Sequence, residues 1–186
     1  MKCLYQFGNY KIYKQFSKPT FELFQNWRTD FLNNNDLENY KVLFMGNAAE
    51  QFFGQSQIST TDIDIIIHNS IIDYNEISVI LNSAFQIGLS HNLLIDIYFV
   101  DTDIFSKPTF GEYYSIRFYK EIIVDESKVL MVSDSTEFDI LPNGLWGIQR
   151  TESQTKSYQK YIDRINSGQY LGLKFDLKTM KLISYN

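Results

Sequence analysis

Hydrophobic positions along this chain change their period several times, and each change marks an expected element. Phe24, Trp27 and Phe31 recur at spacings of three and four, the repeat of one helix face. Pro19 suits the opening of that helix, and the Asn33-Asn34-Asn35-Asp36 cluster ends it. An apolar run over 41–45 reads as a buried strand, after which Gly46-Asn47 turns the chain into a short helix over 48–53. A second strand is expected over 62–68. Asp73 and Glu76 form a capping box for a helix whose apolar stripe is Ile77, Ile80, Leu81, Ala84 and Phe85, with Gly88 as its stop. Residues 93–100 read as a third strand.

In the C-terminal half, Tyr114, Ile116 and Phe118 alternate with Arg117 and Tyr119, which predicts a β-hairpin over 110–133 turning at Asp125-Glu126-Ser127. Pro142-Asn143-Gly144 is a turn signal. A final helix over 152–166 places Tyr158, Tyr161, Ile162 and Ile165 on one face, with Gly168 beyond its end. Residues 172–185 predict a hairpin around Lys178-Thr179, and the first 17 residues a short strand or arm. Helix, strand, helix, strand, helix, strand and hairpin in that order predict an α+β fold, bordering on α/β. Its small mixed sheet is flanked by helices and followed by a C-terminal helix. No repeat, low-complexity tract or linker interrupts the chain, so residues 1–186 read as a single domain with its core motif over 41–100 and a hairpin and helix over 110–186.

Composition narrows the class. Apolar residues make up 44% of 186 positions, enough for one domain with a real core and against disorder. A net charge of −5 argues against broad binding to a nucleic-acid backbone, which needs clustered Lys and Arg. Cys3 is the single cysteine and has no internal disulfide partner. The start lacks the apolar stretch of a signal peptide and no run reaches about 18 apolar residues, so a cytoplasmic protein without a membrane partner is expected.

Candidate chemistry centres on Asp62 and Asp64. Two carboxylates two apart on a strand point to the same face, and like charges side by side call for a cation or proton between them. Asp-x-Asp alone reads more simply as a strand start with its acids in solvent. Asp96 changes that reading, because it lies inside the apolar run 93–100, where an unpartnered charge is costly. Three carboxylates on neighbouring strands could hold one or two magnesium ions.

The order strand, Gly46-Asn47, short helix, then Asp62-Ile63-Asp64 on the next strand and Asp96 on a later one resembles the nucleotidyltransferase superfamily of the DNA polymerase β type. The resemblance covers residues 41–100. It implies a minimal nucleotidyltransferase fold, with Asp62, Asp64 and Asp96 as catalytic residues and magnesium ligands and Gly46 and Asn47 at the phosphates of a nucleoside triphosphate such as ATP. It also implies transfer of a nucleoside monophosphate to a hydroxyl acceptor: a small molecule, a tRNA end or a protein side chain. Asn47 stands where the family has Ser or Gly. In similar enzymes a basic side chain outside the motif steadies the triphosphate, which makes Arg150, Lys156, Lys160 and Arg164 candidates, Arg150 and Lys160 foremost. Their helix stripe nonetheless lies opposite the apolar face, and Arg117 and Lys120 are equally available. The alternative is a catalytically inactive binding or interaction module of the same fold, such as a toxin–antitoxin or phage accessory protein, in which an oligomer or partner covers exposed aromatic surface.

The remaining polar motifs read as structural. Asp101 and Asp103 precede Ser106-Lys107-Pro108 and belong to a solvated loop, and His68 and His91 lack metal-ligand spacing. Trp146 and the tyrosines can stack on a base, although most aromatic residues must fill the core. No P-loop, Gly-x-Gly-x-x-Gly or zinc-type Cys/His set is present.

Overall fold

The computed structural model describes residues 5–7, 10–12, 15–54, 57, 59–71, 73–100, 113–117, 122–124, 127–131, 137–141, 163–164 and 166–183. The N-terminal arm is a pair of short antiparallel strands, β1 (Tyr5–Phe7) and β2 (Tyr10–Ile12). The first apolar stripe forms α1 (Phe21–Asn34), which starts behind Thr20, whose Oγ1 accepts a hydrogen bond from Leu23 N at 3.2 Å. Strand β3 (Lys41–Met45) runs directly into α2 (Gly46–Phe53), and β4 (Ile63–His68) follows. Asp73 caps α3 (Tyr74–Ser90) by accepting from Asn75 N and Glu76 N, and α3 leads into β5 (Ile95–Val100).

The later strands are β6 (Tyr113–Arg117), β7 (Ile122–Val124), β8 (Ser127–Met131), β9 (Glu137–Leu141) and β10 (Phe175–Asp176). Six strands form a mixed sheet in the order β10-β3-β4-β5-β6-β9, and β1-β2-β8-β7 form an antiparallel one. Among these pairs β4–β5 is the parallel one. Parallel neighbours cannot be joined by a tight turn, and α3 is the crossover that joins them. The architecture is therefore α+β with a mixed sheet.

One side of the mixed sheet holds the core. Val42 and Phe44 of β3, Ile63, Ile65 and Ile67 of β4, and Ile95, Ile97 and Phe99 of β5 pack with Phe24, Trp27 and Phe31 of α1 and with the expected stripe of α3. The Phe24 and Phe44 rings stack at 4.3 Å, and Trp27 Nε1 donates to the Ala84 carbonyl oxygen at 3.0 Å, tying α1 to α3. Leu43, Met45, Asp64, Ile66, His68 and Asp96 alternate with those core positions and belong to the opposite face.

Three expectations need correction. Gly88 does not stop α3, which continues to Ser90; the chain leaves the helix through His91 and Asn92, the latter at φ 55°. Gly88 instead permits close packing, since a Cβ there would stand 2.6 Å from Ile95 Cγ1 and 2.9 Å from the Leu93 carbonyl oxygen. The 110–133 segment is not one hairpin. Strand β7 pairs antiparallel with β8, whereas β6 pairs with β5 and β9 in the other sheet. Alternation shows which residues share a face but not which strand lies alongside. Third, the two flanking strands are shorter than expected, β4 starting at Ile63 and β5 at Ile95.

The C-terminal turn is present: Met180 N donates to Asp176 O at 2.7 Å, and Phe175 bridges Leu182. Of the last helix, Asp163, Arg164 and Asn166 are helical and Gly168 follows at φ 71°. Its first eleven residues, 152–162, lie outside the described residues, as do Asp101, Asp103 and Trp146.

Replacing Gly88 with Ala should lower stability by about 1–2 kcal/mol, because overpacking against the Leu93 backbone outweighs the gain in helix propensity. A chemical-denaturation midpoint equal to or above wild type would show that α3 and β5 have room to part.

Candidate metal centre

Two strand pairings fix the position of Asp64. It lies opposite Met45 across antiparallel β3 and opposite Asp96 across parallel β5. Paired residues share a face, and the isoleucines flanking both acids fill the helix side, so the two carboxylates stand next to each other on the other side. Asp62 lies one residue before β4, where Thr60 Oγ1 donates to its carbonyl oxygen at 2.8 Å. One carboxylate oxygen from each of Asp62, Asp64 and Asp96 lies within 4.8 Å of the other two. Asp96 is 8% exposed and the other two are half-buried, so water screens the mutual repulsion only in part. Three converging hard oxygen donors are the ligand chemistry of magnesium, manganese or calcium.

Gly46 makes this arrangement possible. Its φ is 82°, and a Cβ built there would lie 1.9 Å from Asp64 Oδ2. Any other residue would suffer both backbone strain and collision with the carboxylate. The same contact sets Asp64 against the start of α2, whose N-cap Met45 contributes no side-chain acceptor. The positive end of the helix dipole therefore faces the acid. Asn47, the second residue of α2, is half-buried beside this turn.

Asp62, Asp64, Asp96, Gly46 and Asn47 thus meet at one end of β3, β4 and β5. Arg150, Lys156 and Lys160 lie outside the described residues, as does Lys120; Arg164 is half-buried beyond them. His91 is half-buried and bonds Asp30 at 2.6 Å, linking α1 to the end of α3, which agrees with its structural reading.

Two buried charged residues escaped the sequence reading. Glu50 of α2 is 1% exposed, and its carboxylate accepts from Leu171 N at 2.8 Å and Leu173 N at 2.7 Å, clamping the segment around Gly172 onto α2. A lone acid in the apolar run Ala48-Ala49-Glu50 was its available signal. Lys174 is 5% exposed, and burial pushes its amine down to about 8. In sequence it sits on the polar side of the alternation Leu173-Lys174-Phe175-Asp176-Leu177, where a lysine reads as solvated. Comparison with known proteins gives no match to a family model, a curated protein or a solved structure. No helix among the described residues is long and apolar enough to cross a membrane.

The Lys174 shift gives a pH dependence. The folded-state value, about 8, lies below the ordinary 10.5, so between them the unfolded chain binds the extra proton and stability rises with pH. The contribution is complete above about 10.5 and is lost as pH falls through about 8. Relative to Lys174→Met, wild type should gain roughly 3 kcal/mol across that window in denaturation experiments. A flat difference would show the amine to be stabilised in place.

Proposed function

We propose that the chain is a magnesium-dependent nucleotidyltransferase that moves a nucleoside monophosphate from a nucleoside triphosphate to a hydroxyl acceptor. The observation that carries this reading is the cluster of Asp62, Asp64 and Asp96, with oxygens within 4.8 Å, set against a glycine turn that opens a helix. The order of these parts is that of the DNA polymerase β-type enzymes the sequence resembles. Asp62, Asp64 and Asp96 would hold the metal, which when bound supplies positive charge to the phosphate oxygens.

The chain's own residues have distinct tasks. Gly46, lacking a Cβ, lets the first amides of α2 come close to phosphate oxygens, and Asn47 offers a side-chain amide there. Asp96, the most buried of the three acids, takes the proton of the acceptor hydroxyl as its oxygen bonds to the α-phosphorus. The bond from that phosphorus to the bridging oxygen breaks, and pyrophosphate leaves with the electron pair. The rival reading, a non-catalytic binding module, is favoured by Asn47 at the phosphate turn.

Thermal unfolding with ATP, GTP, CTP and UTP, each with and without magnesium, tests the proposal. At roughly a hundredfold excess over Kd, the donor nucleotide should raise the midpoint by about 5–10 °C only when magnesium is present. Asp62→Asn and Asp64→Asn should remove the rise and abolish transfer while keeping the fold. Full transfer activity in both variants would refute the assignment, and binding without transfer to any acceptor would favour the rival.

A further inference from the structure

We infer that the edge of the mixed sheet beside β10 is the contact surface of a symmetric dimer, in which a second copy of this chain pairs antiparallel about Leu182. Strand β10 ends the strand order of that sheet, and beyond the C-terminal turn the chain folds back along it, with Phe175 opposite Leu182. Asp176 N donates to the Lys181 carbonyl oxygen at 2.9 Å, and Ile183 N to that of Lys174 at 2.8 Å. Bonds flanking the Phe175–Leu182 pair on both sides leave the N–H and C=O of Leu182 directed away from β10. Among the described residues none bonds either group, and Leu182 is 55% exposed. An edge of this kind is a template for another strand.

Apolar surface adjoins the edge on one side of the sheet. Leu182 shares the helix side with Phe175, its opposite residue. The Phe53 ring lies 4.5 Å from that of Phe175 and 5.5 Å from that of Phe21. Phe21 is 44% and Phe53 43% exposed, and Leu171, bonded to Glu50 one turn before Phe53, is 63% exposed. With Leu182 they leave roughly 400 Å² of apolar surface open. A stable dimer of standard size takes about 800 Å² from each partner, somewhat over half of it apolar, so the patch matches one half of such an interface. Self-pairing uses the whole patch. A two-fold axis through the sheet at Leu182 keeps the helix sides of both copies on one side, sets Leu182 beside its equivalent, and brings the two Phe21–Phe53 pairs towards each other across the seam. The same register puts Lys181 opposite Ile183, so the lysines of the two copies do not face each other. A lone foreign strand would satisfy the Leu182 backbone and leave the phenylalanines in water. The pairing is independent of what the aspartates bind.

Sedimentation equilibrium of the whole chain between about 1 µM and 1 mM tests the pairing, and wild type should be dimeric in the upper part of that range. Leu182→Pro removes an N–H that makes no bond within the described chain. By symmetry two ladder bonds are lost, so the dimer Kd should rise at least about tenfold while the monomer unfolds close to the wild-type midpoint. Phe21→Ser leaves the edge backbone intact and should weaken the dimer at least about tenfold through lost apolar burial. In a Cys3→Ser background, Leu182→Cys places a thiol on each side of the axis. Paired Cα atoms about 5.5 Å apart are within disulfide reach, so mild oxidation should give a covalent dimer. If Leu182→Pro fails to fold, Phe21→Ser and Leu182→Cys decide. A wild type that stays monomeric throughout the range overturns the inference and leaves the edge to a different partner. So does a dimer whose Kd is unchanged in Phe21→Ser and which does not cross-link through Leu182→Cys.

Discussion

The approach of the Asp64 carboxylate to the backbone of Gly46 is the contact on which the candidate site depends. With Oδ2 in the space a Cβ would occupy, the acid is held at the turn where β3 becomes α2. Both features of Gly46, its positive φ and its missing side chain, serve that one contact. Because β4 pairs with β3 on one side and β5 on the other, fixing Asp64 also fixes Asp96 beside it. Strand register thus keeps the two carboxylates side by side on one face of the sheet.

The rest of the fold keeps that register in place. Isoleucines on either side of Asp64 and Asp96 are fully buried against α1 and α3, so a one-residue slip of either strand would drive a carboxylate into the core. Glu50 does a parallel job at the sheet edge. A buried carboxylate taking two backbone amides orders the segment before β10, and β10 then extends the sheet alongside β3. Glu50 thus has a structural role, held by two backbone amides.

The elements that could be read from sequence are those whose signal is local. Phe24, Trp27 and Phe31 repeat at helical spacing, Asp73 and Glu76 announce the start of α3, and the alternation around Asp64 and Asp96 separates a core face from an acid face. What escaped depends on contacts distant in sequence. Nothing local to Tyr113–Arg117 says that its neighbours are β5 and β9, and Gly88 looks like a helix stop until Ile95 is seen against it. Lys174 looks solvated in its own segment, yet it is buried. The three acids and the glycine turn were legible because one short stretch of chain contains most of them.

The most direct measurement is anomalous diffraction at the manganese edge from crystals of the wild-type protein grown with that ion. The account predicts a peak about 2.0–2.6 Å from carboxylate oxygens of Asp64 and Asp96, with Asp62 in the same coordination shell. Asp62, Asp64 and Asp96 engaged instead by lysine or arginine side chains, with no peak among them, would contradict it.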